Sequence, residues 1–281
     1  MSKSLKKLID INRLREFKSK LNAQNVFDMW PDGAEAHNAM WGGRDITAAF
    51  DAGTVSEHIA DGSFKDIFPG DYITKQVTIS GTTYNVNWVI ADCDYWINKG
   101  DNPAVTAHHV VIVPQAPIFS ANMNATNTTE GGYMGSRMFR ETIPACATGI
   151  VNAFGASHIL TFRDWLISGM TANQISSGLP NLTGGAQWGA SPWVSVQCDL
   201  MTEKMVLGAP VNSASALDEW CATRQFSAFR LSEKTINYNR QNYWLRNIVS
   251  SVYFAFVSRY GTAGTGDAST LFGVRPFALL R

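Results

Sequence analysis

The spacing of apolar and polar residues divides the chain into a helical start and a longer, strand-rich remainder. Residues 4–24 contain no Gly or Pro, and their apolar side chains recur at helical spacing, which predicts an α-helix. Three of these side chains, Leu14, Phe17 and Leu21, fit the seam of a short coiled coil. We therefore expect this helix to bury its apolar stripe either against its own domain or against copies of itself.

Beyond residue 67 the chain shows short apolar or alternating runs that are separated by turn residues. Residues 72–79 and 84–91 predict a β-hairpin around Ser80-Gly81-Thr82, and residues 108–114 predict a further strand. The remaining expected elements are strands within 251–260 and 273–280, an apolar stretch at 160–166, helices within 136–156 and 195–208, short helices or loops at 45–50 and 55–59, and long loops at 120–135 and 168–192.

Short strands, long loops and few helices predict an α+β fold class. We expect a helix at 1–25 for docking or trimerisation, a connector at 26–66 and one ligand-binding domain at 67–281.

Composition indicates a folded protein without a strong overall charge. Of the 281 residues 45% are hydrophobic and only 16% are charged, and the formal net charge is zero, which argues against a general nucleic-acid binder. Basic side chains are concentrated in residues 1–21, where seven Lys and Arg stand against two Asp and Glu. The sequence shows no signal peptide and no apolar run of about 20 residues, so we expect synthesis in a cytoplasm without membrane insertion.

Candidate chemistry is sparse. Motifs of serine nucleophiles, phosphate-binding loops, zinc proteases and calcium loops are missing, so we expect neither an enzyme nor a metal or cofactor site. The four cysteines lack metal-ligand spacing and are expected to be buried free thiols, with one disulfide as the alternative. His108 and His109 would point to opposite faces of a strand, which favours structural roles over a shared metal ion.

The C-terminal segment, residues 243–281, has the composition of a binding surface. Between its ends only Arg259 and Asp267 are charged, and Ser, Thr, Tyr, Gly and apolar residues fill most other positions. Such a mixture combines rigid aromatic contact area with adaptable hydrogen bonding. None of Lys, Glu, Gln, Met and Trp occurs after Trp244, and codons ending in C cannot encode these types.

The ends of this segment carry a family resemblance. Trp244-Leu245-Arg246 and Gly273-Val274-Arg275-Pro276-Phe277 frame a variable-looking stretch, and further matching blocks lie at 108–114, 123–133 and 199–206. The arrangement resembles phage and prophage proteins with a C-type-lectin-like fold. That fold is related to the formylglycine-generating-enzyme type and is used by variable proteins of diversity-generating retroelements. The resemblance covers residues 67–281.

The resemblance implies a lectin-like, receptor-binding domain on a virion, often trimeric. In this family a retroelement rewrites template adenines, chiefly in AAC codons, and the resulting codons end in C, which fits the missing residue types. The implied frame residues are Trp244, Leu245, Arg246, Gly273, Val274, Arg275 and Pro276. The implied ligand contacts are Ser250, Ser251, Tyr253, Ser258, Arg259, Tyr260, Thr265, Gly266, Asp267, Thr270 and Leu271.

The chain also departs from relatives of this fold. It lacks the calcium motifs of sugar-binding C-type lectins in this segment and the cysteine pair of formylglycine-generating enzymes. Calcium-dependent sugar binding and oxidase activity are therefore not expected.

The first hypothesis is a tail-tip or tail-fibre adhesin that binds a protein or glycan receptor on a bacterial surface through its C-terminal face. We expect a homotrimer on the virion, docked onto other virion proteins through the basic N-terminal helix. A capsid-decorating head fibre with the same fold is the first alternative. An enzyme of the formylglycine-generating type, or a cell-wall hydrolase, is the second.

Overall fold

The computed structural model describes residues 31–166, 193–213 and 221–281. The predicted helix at 4–24 and the predicted loop at 168–192 lie outside these residues. The helices are α1 (Ala34–His37), α2 (Thr47–Asp51), α3 (Thr54–Ala60), α4 (Gly132–Gly135), a π-helical turn (Met138–Thr142), α5 (Ile143–Phe154), α6 (Glu203–Leu207), α7 (Ser227–Leu231) and α8 (Glu233–Ile236). The strands are β1 (Tyr72–Ile79), β2 (Thr82–Cys93), β3 (Val110–Pro114), β4 (Phe119–Ala121), β5 (Phe162–Trp165), β6 (Trp193–Val196), β7 (Cys198–Leu200), β8 (Tyr243–Ile248), β9 (Tyr253–Val257), β10 (Ala263–Asp267), β11 (Phe272–Val274) and β12 (Pro276–Leu280).

The first five-stranded sheet has the order β1-β2-β3-β12-β7, and its neighbouring strands are antiparallel. The predicted hairpin is confirmed, because β1 pairs with β2 along its whole length from Tyr72 to Ile79. The loop residues Ser80 and Gly81 have φ of 48° and 83°. Two positive φ angles in succession are what a two-residue hairpin turn matched to the strand twist requires.

The second five-stranded sheet, with the order β10-β9-β8-β11-β4, is built mainly from the C-terminal segment. β8, β9 and β10 are antiparallel neighbours, whereas β11 runs parallel to β8 where Gly273 lies opposite Tyr243. After β11 the chain crosses at Arg275 into β12, a fully buried strand between β3 and β7 of the first sheet. Residues 243–281 therefore connect the two sheets.

One cluster of buried apolar residues includes side chains from both sheets, from α5 and from residues 31–66. α5 lies so close to β1 that a Cβ atom at Gly149 would be 2.7 Å from the carbonyl oxygen of Thr78. Ile46, Phe50 and Ile59 from the predicted connector are buried in the same cluster. The described part of the connector thus contributes to the core of the domain that follows it.

The described residues confirm a mixed α+β class. Two predicted elements differ from the structure, one in where it begins and the other in its type. β3 begins at Val110 because the residues before it turn toward Asp94, whose Oδ2 lies 2.6 Å from His108 Nδ1 and whose Oδ1 accepts from the His109 backbone N–H at 3.0 Å. Residues 195–208, predicted as one helix, belong to β6, β7 and α6. The short helices expected around 45–50 and 55–59 are present as α2 and α3.

Among the described residues, no helix combines the length and apolar character that crossing a bilayer requires.

Candidate functional site

Arg246 anchors the start of the C-terminal segment in a buried charge network. Its Nη1 atom lies 2.5 Å from Asp164 Oδ2 and 2.8 Å from Asp199 Oδ2, and all three side chains are buried. The Tyr133 hydroxyl donates to Asp199 Oδ1 at 2.5 Å. Burial raises the pKa of Asp199 to about 6. The positive charge of Arg246 opposes this rise, but Asp199 shares that charge with Asp164. The network fixes β8 to β5 and β7, the strands that carry the two aspartates.

Arg275 anchors the end of the segment through backbone carbonyl groups. Its guanidinium is fully buried, and burial lowers its pKa. It donates to four carbonyl oxygens, those of Pro114 (2.8 Å), Gln115 (3.3 Å), Thr235 (2.9 Å) and Ile236 (2.9 Å). It also lies 5.2 and 5.0 Å from the ring centroids of Phe229 and Tyr243, which are cation–π distances. All the predicted frame residues, at 244–246 and 273–276, are buried, which confirms that the ends of the segment are framework.

The inner face of the β9–β10 hairpin packs against aromatic rings. Gly264 lies opposite Phe256, and a Cβ atom there would meet that ring at 2.5 Å. A Cβ atom at Gly266 would lie 2.7 Å from Phe272 and 3.0 Å from Trp244. Gly266, which the resemblance implied as a ligand contact, is buried under these rings and belongs to the framework.

The outer face of the same hairpin carries exposed polar and aromatic side chains. Tyr253 and Asp267 are cross-strand partners, and Thr265 lies two residues before Asp267 on the same face. All three are exposed. Asp267 Oδ1 accepts from Asn127 Nδ2 at 2.7 Å, while Asn127 Oδ1 accepts from the backbone N–H of Ala268 at 2.9 Å. We call Tyr253, Thr265, Asp267 and Asn127 the outer patch.

Four more predicted contacts lie at the same end of the hairpin, in turns beside the outer patch. Ser250 Oγ accepts from backbone N–H groups of its own turn. The Ser250 carbonyl accepts from Thr129 Oγ1 at 2.6 Å, and the Ser251 carbonyl accepts from the Thr129 backbone N–H at 2.9 Å. Thr270 is half-buried, and Leu271 is 67% exposed. These residues extend the outer patch with a rim, and Thr129, in the loop between β4 and α4, holds the Ser250–Ser251 turn of that rim.

The other predicted contacts, Ser258, Arg259 and Tyr260, form a separate far turn. The Oγ of Ser258 lies 2.8 Å from Thr262 Oγ1, and the Arg259 backbone N–H donates to Asn242 Oδ1 at 2.7 Å. The Arg259 guanidinium lies 4.9 Å from the Tyr260 ring centroid. Along β9, Tyr253 lies about 17 Å from Ser258, whereas Ala255, the cross-strand partner of Thr265, lies about 10 Å from it. The predicted contacts therefore form two groups, one toward each end of the hairpin.

Three side chains that hold these turns were not predicted as site residues: Asn127, Thr129 and Asn242. Asn127 and Thr129 belong to the Asn- and Thr-rich loop 120–135. Asn and Thr side chains often bond to backbone groups in loops, so this richness is the signal that could have identified them. Asn242 directly precedes the frame and carries no comparable signal.

Several described residues of the types that catalysis or metal binding uses have structural roles. The described residues contain no group of three or more His, Cys, Asp or Glu side chains placed to hold a metal ion. The four cysteines are free and buried, as predicted. Burial raises the pKa of each thiol, to about 12 for Cys146 and Cys221, so the reactive thiolate is disfavoured. His109 Nε2 accepts from the backbone N–H of Trp96 at 3.0 Å, which gives this buried ring a structural role.

Comparisons with family models, curated proteins and solved structures identify no match for this chain. Its function is therefore inferred from the frame in the sequence and from the geometry of the site.

Proposed function

We propose that this protein is a phage virion protein, a tail-tip or tail-fibre adhesin with a C-type-lectin-like domain, that binds a ligand on a bacterial surface. One observation carries the proposal. The ends of the C-terminal segment are buried around Arg246 and Arg275, whereas Tyr253, Thr265 and Asp267 on the outer face of the hairpin between them are exposed. A fixed backbone that presents free side chains loses little conformational entropy when it binds.

Within the segment, the outer patch is the better contact surface. Tyr253 supplies rigid aromatic area, and Thr265 and Asp267 supply hydrogen-bonding groups on the same face. Asn127 orients the Asp267 carboxylate, and Leu271 adds exposed apolar area at the rim. Aromatic, polar and apolar groups thus converge at one end of the hairpin.

Diversification of this surface by a retroelement is a further part of the proposal. It is supported by the missing residue types after Trp244 and by the free side chains of the outer patch. We expect the locus to encode a reverse transcriptase and a near-copy of the segment that differs at adenines. Sequencing the locus tests this, and the codons of Tyr253, Thr265 and Asp267 should end in C. A locus with neither feature would leave an adhesin of fixed specificity.

We also propose that the chain is a homotrimer that docks onto other virion proteins through residues 1–25. The support is the basic, helix-forming sequence of that segment. The mass of the purified full chain in solution should correspond to three copies, and a monomer would contradict the proposal. Immunogold labelling of intact virions separates the tail from the capsid alternative, and labelling of neither would contradict both.

The adhesin proposal is tested by competition for adsorption. The purified full chain should block adsorption of the virions to their host cells. A variant with Tyr253→Ala, Thr265→Ala and Asp267→Ala should fold normally and lose most of this blocking. A far-turn variant, Arg259→Ala with Tyr260→Ala, is the matched control and should block better than the outer-patch variant. Undiminished blocking by the outer-patch variant would overturn the assignment of this surface.

A further inference from the structure

A second surface, away from the outer patch, has the form of a built binding site. A cavity of about 500 Å³ lies between the turn after α1 and the region of α8. Its walls include Trp41, Gln115, Glu233, Lys234 and Tyr238. Its volume is in the range of ordinary ligand sites, roughly 300–1,000 Å³.

Trp41 is an aromatic platform held by backbone. A Cβ atom at Gly70 would lie 2.7 Å from three adjacent atoms of the indole, so the α-carbon of Gly70 faces the flat side of the ring. A Cβ atom at Gly43 would lie 2.8 Å from the indole Nε1, so this glycine packs against the ring edge. Both glycines have positive φ, 94° and 73°. The indole is nevertheless 39% exposed, because part of it faces the cavity.

The buried guanidinium of Arg275 links two parts of the chain that line the cavity. Its Nη2 atom donates to the carbonyl oxygens of Thr235 and Gln115, and both residues line the cavity from different parts of the chain. Tyr238, three residues beyond Thr235, also lines the cavity and is 60% exposed. The positions of Thr235 and Gln115 relative to each other are therefore fixed before any ligand arrives, which lowers the entropy lost on binding.

Gln115 also lines a neighbouring cavity of about 560 Å³, together with Tyr84, Asn85 and Asn87. Asn87 Nδ2 donates to Gln115 Oε1 at 3.2 Å, which orients both amides. Tyr84 is stacked on Phe119, with ring centroids 5.9 Å apart. The two cavities thus meet at Gln115, and we call them together the Trp41 groove.

We propose that the Trp41 groove binds a neutral oligosaccharide. Exposed faces of Trp and Tyr accept the apolar C–H faces of sugar rings, and their amphipathic rings tolerate the adjoining water. The amides of Gln115, Asn85 and Asn87 offer donors and acceptors that match hydroxyl groups. Among the residues that line the groove only Glu233 and Lys234 are charged, and their charges are opposite, so the lining itself does not select an ionic ligand. The inference does not depend on the adhesin proposal, because none of these residues belongs to the outer patch.

Isothermal titration calorimetry with the purified full chain tests the proposal, using maltohexaose, cellohexaose, chitohexaose and mannohexaose as probes. At least one probe should bind saturably at low-millimolar concentrations. Trp41→Ala and Tyr238→Ala should each weaken that binding about tenfold, and Trp41→Phe should weaken it less because a planar ring is kept. Tyr238→Ala keeps the test valid if Trp41→Ala does not fold, since the Tyr238 side chain is mostly exposed.

Val211→Ala is the control, because it shortens an exposed apolar side chain outside both the outer patch and the Trp41 groove and should leave oligosaccharide binding unchanged. Failure of all probes to bind, or unchanged binding by Tyr238→Ala, would overturn the inference. A decaproline peptide that binds in place of the sugars, with the same dependence on Trp41 and Tyr238, would also overturn it. Loss of adsorption blocking by the outer-patch variant, with oligosaccharide binding intact, would show that the two surfaces act separately.

Discussion

Arg259, in the middle of the C-terminal segment, differs in burial and in contacts from Arg246 and Arg275, which lie nearer its ends. The latter two are buried and make hydrogen bonds that join separate strands and loops. Arg259 is exposed, and its guanidinium lies over its neighbour Tyr260. Arginine therefore has two roles within 30 positions. Where it is buried, its charge stabilises contacts within the fold, and where it is exposed, its charge faces the surface. The ends should govern stability, whereas the exposed hairpin should govern binding.

The largest effect is expected for Arg246→Met. The substitution leaves Asp164 and Asp199 buried without the cation between them, which should lower the free energy of unfolding by about 3–5 kcal/mol. Arg259→Met is the matched control and should change it by less than about 0.5 kcal/mol. Urea unfolding of both variants measures the contrast, and equal midpoints would contradict it.

The same buried network should make stability depend on pH. The pKa of Asp199 is raised from 3.8 to about 6 by burial, so the folded state holds a proton that the unfolded chain releases. The stability from this group is full below about pH 4 and is lost as the pH rises through 6. The free energy of unfolding of the wild type, relative to Asp199→Asn, should fall by up to about 3 kcal/mol between pH 4 and pH 7.

Asp101→Asn is the control of opposite sign. Asp101 is an exposed carboxylate whose pKa is lowered to about 2 by its hydrogen bonds with Arg163. The ionised Asp101 carboxylate stabilises the fold above its unfolded pKa, and this contribution is lost as the pH falls. As the pH rises, the free energy of unfolding of the wild type should therefore not fall relative to that of Asp101→Asn. A flat difference between the wild type and Asp199→Asn would contradict the raised pKa.

The two faces of the hairpin should respond differently to a larger side chain. Gly266→Val places its Cβ atom within 2.7 Å of Phe272, and the strain should cost about 1–3 kcal/mol. Thr265→Val, one residue away on the exposed face, should change stability by less than about 0.5 kcal/mol. Thermal unfolding of the pair measures the difference, and tolerance of Val at Gly266 would place this residue on the exposed surface after all.

The smallest expected stability effect is that of Asn127→Ala. This change removes two hydrogen bonds, to the Asp267 carboxylate and from the Ala268 backbone, and should cost about 1 kcal/mol. Because it releases the Asp267 carboxylate, it should also weaken adsorption blocking. Full stability together with full blocking would show that Asn127 does not support the outer patch.

Local sequence patterns predicted the elements that neighbouring residues build. Ser80 and Gly81 provide the turn, and the two strands on either side of it pair with each other. Residues 198–200 were predicted as part of a helix because their strand conformation depends on pairing with β12, almost 80 residues away. No local pattern contains that information.

The burial of both ends of the C-terminal segment was predictable, but which side chains between them are exposed was not. Composition and the frame motifs marked residues 243–281, yet Gly266 is buried because aromatic rings pack under β10. Asn127 reaches Asp267 across 140 positions of sequence, and Arg275 finds its acceptors at the end of β3 and in α8. The position of the Trp41 indole depends on its packing against Gly43 and Gly70. Contacts of this kind follow from tertiary packing and cannot be read from spacing.

A protease-resistance scan of single substitutions across residues 243–281, in the full chain, tests the division between framework and binding surface most directly. We predict that most residue types at Tyr253, Thr265 and Asp267 keep the protein resistant, whereas almost none do so at Arg246, Gly266 and Arg275. Similar tolerance at both sets of positions would contradict the division of the segment into a buried frame and an exposed binding face.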